Sequence, residues 1–108
     1  ELKHGALALI TEDVPVVALA TQPYLAEKML SNIREVKARG AVVIAVTTKD
    51  QTQIASAADH SFFIPQVDPL IAPLVAVIPM QLLAYYVAKA KDCDVDKPRN
   101  LAKSVTVE

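Results

Sequence analysis

Cysteine, tryptophan and glycine are nearly missing from this chain, which holds one Cys, no Trp and two Gly in 108 residues. A lone thiol, Cys93, cannot close an internal disulfide, so a small disulfide-stapled secreted scaffold is excluded and a reducing, cytoplasmic setting is expected. With only Gly5 and Gly40 available, no Gly-rich loop exists to cradle a nucleotide phosphate. Charge of one sign is missing too. Twelve acidic side chains against 11 basic ones leave −1, which offers no electrostatic footprint for nucleic acid or an anionic membrane. No unbroken apolar run approaches the ~20 residues of a membrane span, so no membrane partner is expected. The chain opens Glu1-Leu2-Lys3-His4-Gly5, with neither an initiator Met nor a basic-then-apolar leader, and reads as a piece of a longer polypeptide.

What is present is apolar: 53% of the residues are hydrophobic, enough for a real core in one α/β-sized domain. Three runs rich in β-branched or aromatic residues stand out, at 14–20, 41–47 and 61–64. They are continuous rather than alternating, which predicts strands buried on both faces of a parallel sheet covered by helices. Between the first two runs, Thr21 is expected to cap a helix with Pro23 in its first turn. Leu25, Met29, Leu30, Ile33 and Val36 share one face of that helix, Glu27, Lys28, Arg34, Glu35 and Lys37 the other, and Gly40 ends it. The unit is β-α-β. Asp50 is expected to cap a short second helix through about Ala58, and Asp59-His60 leads into the third strand. A long apolar stretch from Leu70 to Lys91 follows, where Pro79 is expected to kink or restart a helix. Residues 92–108 read as an irregular tail.

Chemistry-bearing side chains are few. His4 offers an imidazole for proton transfer near neutral pH, set in a polar opening where a surface histidine without a role is the competing reading. His60 reads as a capping or hydrogen-bonding residue. Cys93 lies among Asp92, Asp94 and Asp96, whose carboxylates disfavour a thiolate, so it reads as an incidental thiol. Those aspartates lack the Gly and closing Glu of a calcium loop, and two distant histidines with one Cys make no metal site. No cofactor is expected. Lys103 is an amine able to form a Schiff base with a sugar carbonyl if its pKa is lowered, though by composition alone it is a charged tail residue.

The opening Glu1-Leu2-Lys3-His4-Gly5 and the closing run from Asp94 to Glu108, which includes Lys97-Pro98-Arg99-Asn100-Leu101-Ala102-Lys103-Ser104 and ends Val105-Thr106-Val107-Glu108, carry a resemblance. Together they resemble the C-terminal end of the glutamine-dependent fructose-6-phosphate aminotransferases, also called glucosamine-6-phosphate synthases. The likeness runs the length of the chain; the tail is the more specific part, and the opening is shared among sugar isomerase (SIS) domains. It implies a three-layer, flavodoxin-like α/β domain of SIS type, present here as a partial domain: residues 1–91 the C-terminal part of the second SIS domain, with the last three of five strands, and residues 92–108 a lid over the sugar site. The central strand beside the first run would be absent, leaving an open hydrophobic edge.

The resemblance also implies a function. The family converts fructose 6-phosphate and glutamine into glucosamine 6-phosphate and glutamate, an N-terminal glutaminase supplying ammonia to a pair of SIS domains. By the same resemblance His4 assists ring opening in the partner subunit's site of a dimer, Lys103 engages the open-chain carbonyl, and Arg99, Asn100 and Ala102 cover the sugar and line the ammonia route. Ala6 stands where the family usually has proline. The proton-shuttling glutamate, the phosphate-binding loops and the glutaminase would lie upstream of Glu1, so the isolated chain is expected to be inactive and oligomeric. Two alternatives remain: a non-catalytic sugar-phosphate-binding SIS module, such as the sensory domain of a regulator, and another sugar-phosphate isomerase.

Overall fold

The computed structural model describes residues 2–97. The chain falls into two units that meet between Ala76 and Val77, inside one helix.

In the first unit, 3-10 turns at Leu2–His4 and Ala6–Leu9 lead to strand β1, Pro15–Ala20. A 3-10 turn at Pro23–Leu25 and helix α1, Ala26–Lys37, connect it to β2, Val42–Thr47; helix α2, Thr52–Ala57, then leads to β3, His60–Phe63. The three strands pair in parallel in the order β1-β2-β3, with Val17 opposite Ile44 and Val46 opposite Phe62. All three fall within a residue of the apolar runs. Pro15, which cannot donate to a ladder, is the first residue of its strand.

The helix caps differ from the sequence reading. Thr21 is not an N-cap: the helical path starts at Pro23, Gln22 holds the extended cap position, and its side-chain oxygen accepts from Tyr24 Oη at 2.8 Å. Asp50 does not cap α2 with its carboxylate either. Gln51 occupies that position, Asp50 accepts the Thr52 N–H through its backbone oxygen, and Gln51 Nε2 donates to the Ala20 carbonyl at 3.3 Å, tying the helix start to the end of β1. Gly40 behaves as expected. With φ 86 it takes the left-handed position of a Schellman motif, in which its N–H donates to Lys37 O and the Ala41 N–H to Val36 O.

Side-chain alternation divides the sheet. Ala18, Ala20, Val43 and Ala45 point to one face and meet Leu30, Ile33 and Val36 of α1 and Ile54 of α2, all buried. The apolar stripe of α1 read from the sequence is therefore the core stripe, with Met29 partly buried and Leu25 exposed at its margin. On the opposite face Val17, Leu19 and Phe62 are 39%, 47% and 45% exposed. Burial on both faces thus holds for β2, where Val43, Ala45, Val46 and Thr47 are all closed off, and not for β1 or β3. The physical reason is position: among the described residues, β2 is the strand with a neighbour on each side.

Helix α3, Ala72–Ala90, begins in the first unit, where Ala72 and Ala76 are buried, and continues into the second. The helix continues through Pro79 without restarting. Pro79 removes only one backbone bond, and Ala, Met, Gln and Leu around it are strong helix formers. By length and composition this 19-residue helix is long and apolar enough to cross a membrane, which the reading of interrupted apolar runs did not anticipate. Within the second unit, Tyr85 and Tyr86 meet edge to face with centroids 5.3 Å apart, and Lys89 Nζ lies 5.7 Å from the Tyr85 ring centre. Asp92, at φ 52, closes the helix as Gly40 closes α1, the Cys93 N–H donating to Ala88 O.

Candidate functional site

His4 ends the 3-10 turn at Leu2–His4, and its side chain is exposed. Three anchors hold that turn to the first unit. Leu2 and Leu7 pack against the core, and Lys3 Nζ meets Glu35 Oε1 at 2.9 Å. Gly5 follows at φ 144, a conformation that side-chain-bearing residues rarely adopt, and it separates the two short turns. Glu35 lies in the last turn of α1, the end that leads into β2. In a β-α-β unit the helix runs antiparallel to its strands, so His4 stands at the end of the sheet where the strands begin.

The opposite end holds two of the clefts. Ligands of open α/β sheets bind outside the carboxyl ends of the strands. Here Thr21, Pro23, Thr48, Ile64, Pro65, Gln66 and Ala72 line a recess of about 110 Å³, and Thr48, Lys49, Asp50, Phe63 and Gln66 line a wider one of about 430 Å³ beside it. The Thr47 and Thr48 hydroxyls are buried with no hydrogen-bond partner among the described residues. Sequence reading passed over these polar residues, although their place directly after each strand is the signal that marks such a cleft. His4 lines neither recess.

Asp59 has a perturbed carboxyl. Lys37 Nζ donates to its Oδ1 at 2.7 Å and the Val43 N–H to its Oδ2 at 2.8 Å, and these two bonds, the lysine first, hold it below the ordinary carboxylate range. The pair joins α1, β2 and β3. It is Asp59 rather than the exposed His60 that supplies the hydrogen bonding expected at this corner. In the second unit Cys93 is exposed, and Asp94 Oδ1 accepts the N–H groups of Asp96 and Lys97, an Asx turn. Among the described residues, no group of three or more His, Cys, Asp or Glu is placed to hold a metal ion. Arg99, Asn100, Ala102 and Lys103 lie outside the described residues.

The same strand order, helices and opening turn have relatives. A glutamine–fructose-6-phosphate aminotransferase [isomerizing] of Symbiobacterium thermophilum is 61% identical over all 108 residues, and one of Methanosarcina mazei is 60% identical over the same length. This chain spans 18% of each of those proteins. Among solved structures, the C-terminal domain of glucosamine-fructose-6-phosphate aminotransferase from Francisella tularensis superposes with a TM-score of 0.81 at 38% identity, covering 90% of this chain and 28% of that one. The SIS domain family matches residues 1–90, a range that takes in every strand and helix described above. With its parallel three-stranded sheet and flanking helices, the chain belongs to the SIS domain family.

Proposed function

We propose that this chain is the C-terminal part of a glutamine-dependent fructose-6-phosphate aminotransferase, in which it supplies His4 and Lys103 to the site that turns fructose 6-phosphate and ammonia into glucosamine 6-phosphate. One observation carries the reading. The SIS match ends at residue 90, whereas the match to the aminotransferase relatives extends over all 108 residues and so includes the segment in which Arg99, Asn100, Ala102 and Lys103 lie. A sensory SIS module or another sugar-phosphate isomerase has no need of that tail, which weighs against both.

The chemistry suits the residues. Opening a ketose ring needs a general acid and base, and His4 presents an exposed imidazole for that work. Its place at the end of the sheet where strands begin, away from the clefts at the carboxyl ends, supports work in a site outside this domain, in a partner subunit of a homodimer. The Lys103 amine attacks the exposed C2 carbonyl; loss of water leaves an imine, and the 92–108 segment closes as a lid that keeps water from it. The isolated chain is inactive in this account, because the proton-shuttling glutamate, the phosphate loops and the glutaminase belong to upstream SIS and glutaminase domains. The setting is the cytoplasm, with no cofactor, metal, nucleic acid or membrane partner. Inclusion of the apolar α3 in the SIS match supports its being a helix of the SIS domain rather than a membrane span.

Lys103→Arg in the full-length protein tests the imine step, since the charge stays and the nucleophile goes. Glucosamine 6-phosphate formation from fructose 6-phosphate and glutamine is expected to fall by about 10²-fold or more. An undiminished rate removes Lys103 from the mechanism.

A further inference from the structure

We infer that Lys3 and Glu35 are a positioning pair for His4, fixing the direction in which the imidazole leaves the domain. The inference rests on the functional reading above. Lys3 is the residue immediately before His4, and its ammonium meets Glu35 Oε1 at 2.9 Å. The pair is lopsided: the Lys3 side chain is 73% exposed, that of Glu35 only 26%. Moreover, Glu35 Oε2 is buried and has no hydrogen-bond partner among the described residues. An ordinary surface ion pair leaves both carboxylate oxygens to water. Burying one of them unpaired costs stability, and buried unsatisfied polar atoms in folded proteins call for a specific explanation.

Geometry supplies one. Leu2 is held by the core on one side of Lys3, and Gly5, at φ 144, turns the chain on the other. Leu2 and Gly5 fix where the turn sits, but neither fixes its rotation about the chain axis. The Lys3–Glu35 contact is the side-chain tie that does, because it pins the residue before His4 to the rigid last turn of α1. A proton-transfer group that must reach a site outside its own domain gains from such a tie, since small misplacements of a catalytic group lower rates steeply. The pair touches no reacting atom in this account and acts only through His4.

The test uses the full-length protein with fructose 6-phosphate and glutamine, comparing His4→Ala, Lys3→Glu, Glu35→Lys and the Lys3→Glu/Glu35→Lys exchange. Each single charge reversal is expected to lower kcat about tenfold with KM for fructose 6-phosphate unchanged, and the exchange to restore most of that loss. Thermal melting and Lys3→Gln, which removes the charge without repulsion, separate this from misfolding. If His4→Ala lowers kcat while the single reversals leave it intact, or if the exchange fails to restore it, the positioning role is wrong and the functional reading stands. If His4→Ala itself leaves kcat intact, the functional reading falls and the positioning role falls with it.

Discussion

Lys37 and Asp59, 22 positions apart in sequence, meet at 2.7 Å and lock the last turn of α1 to the start of β3, with the Val43 N–H held by the second oxygen of the same carboxylate. This single side chain therefore joins a helix and two strands at one end of the sheet. The sign of its effect on stability follows from the direction of its pKa. A carboxyl held low in the folded chain contributes stability that is fully present above the unfolded carboxylate value and is lost as pH falls through the folded one.

Chemical unfolding of the chain between neutral pH and strongly acidic pH is thus expected to show a stability decrease on acidification that shrinks in Asp59→Asn. At neutral pH, Asp59→Asn is expected to be less stable than the parent. An acid limb identical in parent and variant contradicts the assignment of that limb to Asp59. Both side chains are 35% exposed, so added salt weakens the ion pair and leaves the bond from Val43 largely in place.

Gly40→Ala is expected to destabilise the chain by about 1–3 kcal/mol. Two effects act together. Gly40 lies at φ 86, and a Cβ built there would come within 2.9 Å of Glu12 Cγ and 3.0 Å of Glu12 Cα, the latter a backbone atom that cannot swing aside. Urea unfolding measures the change. A loss no larger than at an ordinary surface alanine contradicts both the strain and the clash.

The contrast between Gly40 and Thr21 shows what was legible in the sequence. Apolar runs placed β1, β2 and β3 within a residue, and the stripe Leu30, Ile33 and Val36 named the core face of α1, because burial of apolar surface dominates local choice. Gly40 was legible because left-handed backbone favours glycine. Thr21 and Asp50 were misread as caps because several residues near a helix start can serve, and the choice is settled by tertiary ties such as the bond from Gln51 to Ala20 O. At Pro79 the restart weighed beside a kink does not occur, because a proline forbids one hydrogen bond and good helix formers on either side carry the helix across it. For the proposed site, His4 is visible as a residue type beside a glycine. Lys3 and Glu35, the pair proposed to position it, are 32 positions apart, and no local pattern links them.

The exposed sheet face makes a prediction about association. Val17, Leu19 and Phe62 present an apolar surface beside the outer edge of β1, which is unpaired among the described residues. Isolated chains are expected to self-associate through it, by burial of apolar area and by edge-to-edge pairing. Analytical ultracentrifugation of the parent is expected to show dimers or larger species, and the Leu19→Lys/Phe62→Lys pair of changes to shift them toward monomer. A parent that stays monomeric at high micromolar concentration contradicts the expectation.

His4, the exposed imidazole at the end of the sheet where the strands begin, is the group on which the proposed catalysis turns. The most direct measurement is glucosamine 6-phosphate formation by the full-length protein carrying His4→Asn, at saturating fructose 6-phosphate and glutamine. Asparagine keeps a polar side chain of similar reach and cannot exchange a proton near neutral pH. Removal of a general acid or base is expected to lower kcat by about 10²-fold or more, while the melting temperature stays close to the parent's because the His4 side chain is exposed. A His4→Asn protein that makes glucosamine 6-phosphate at the parent rate would contradict the account.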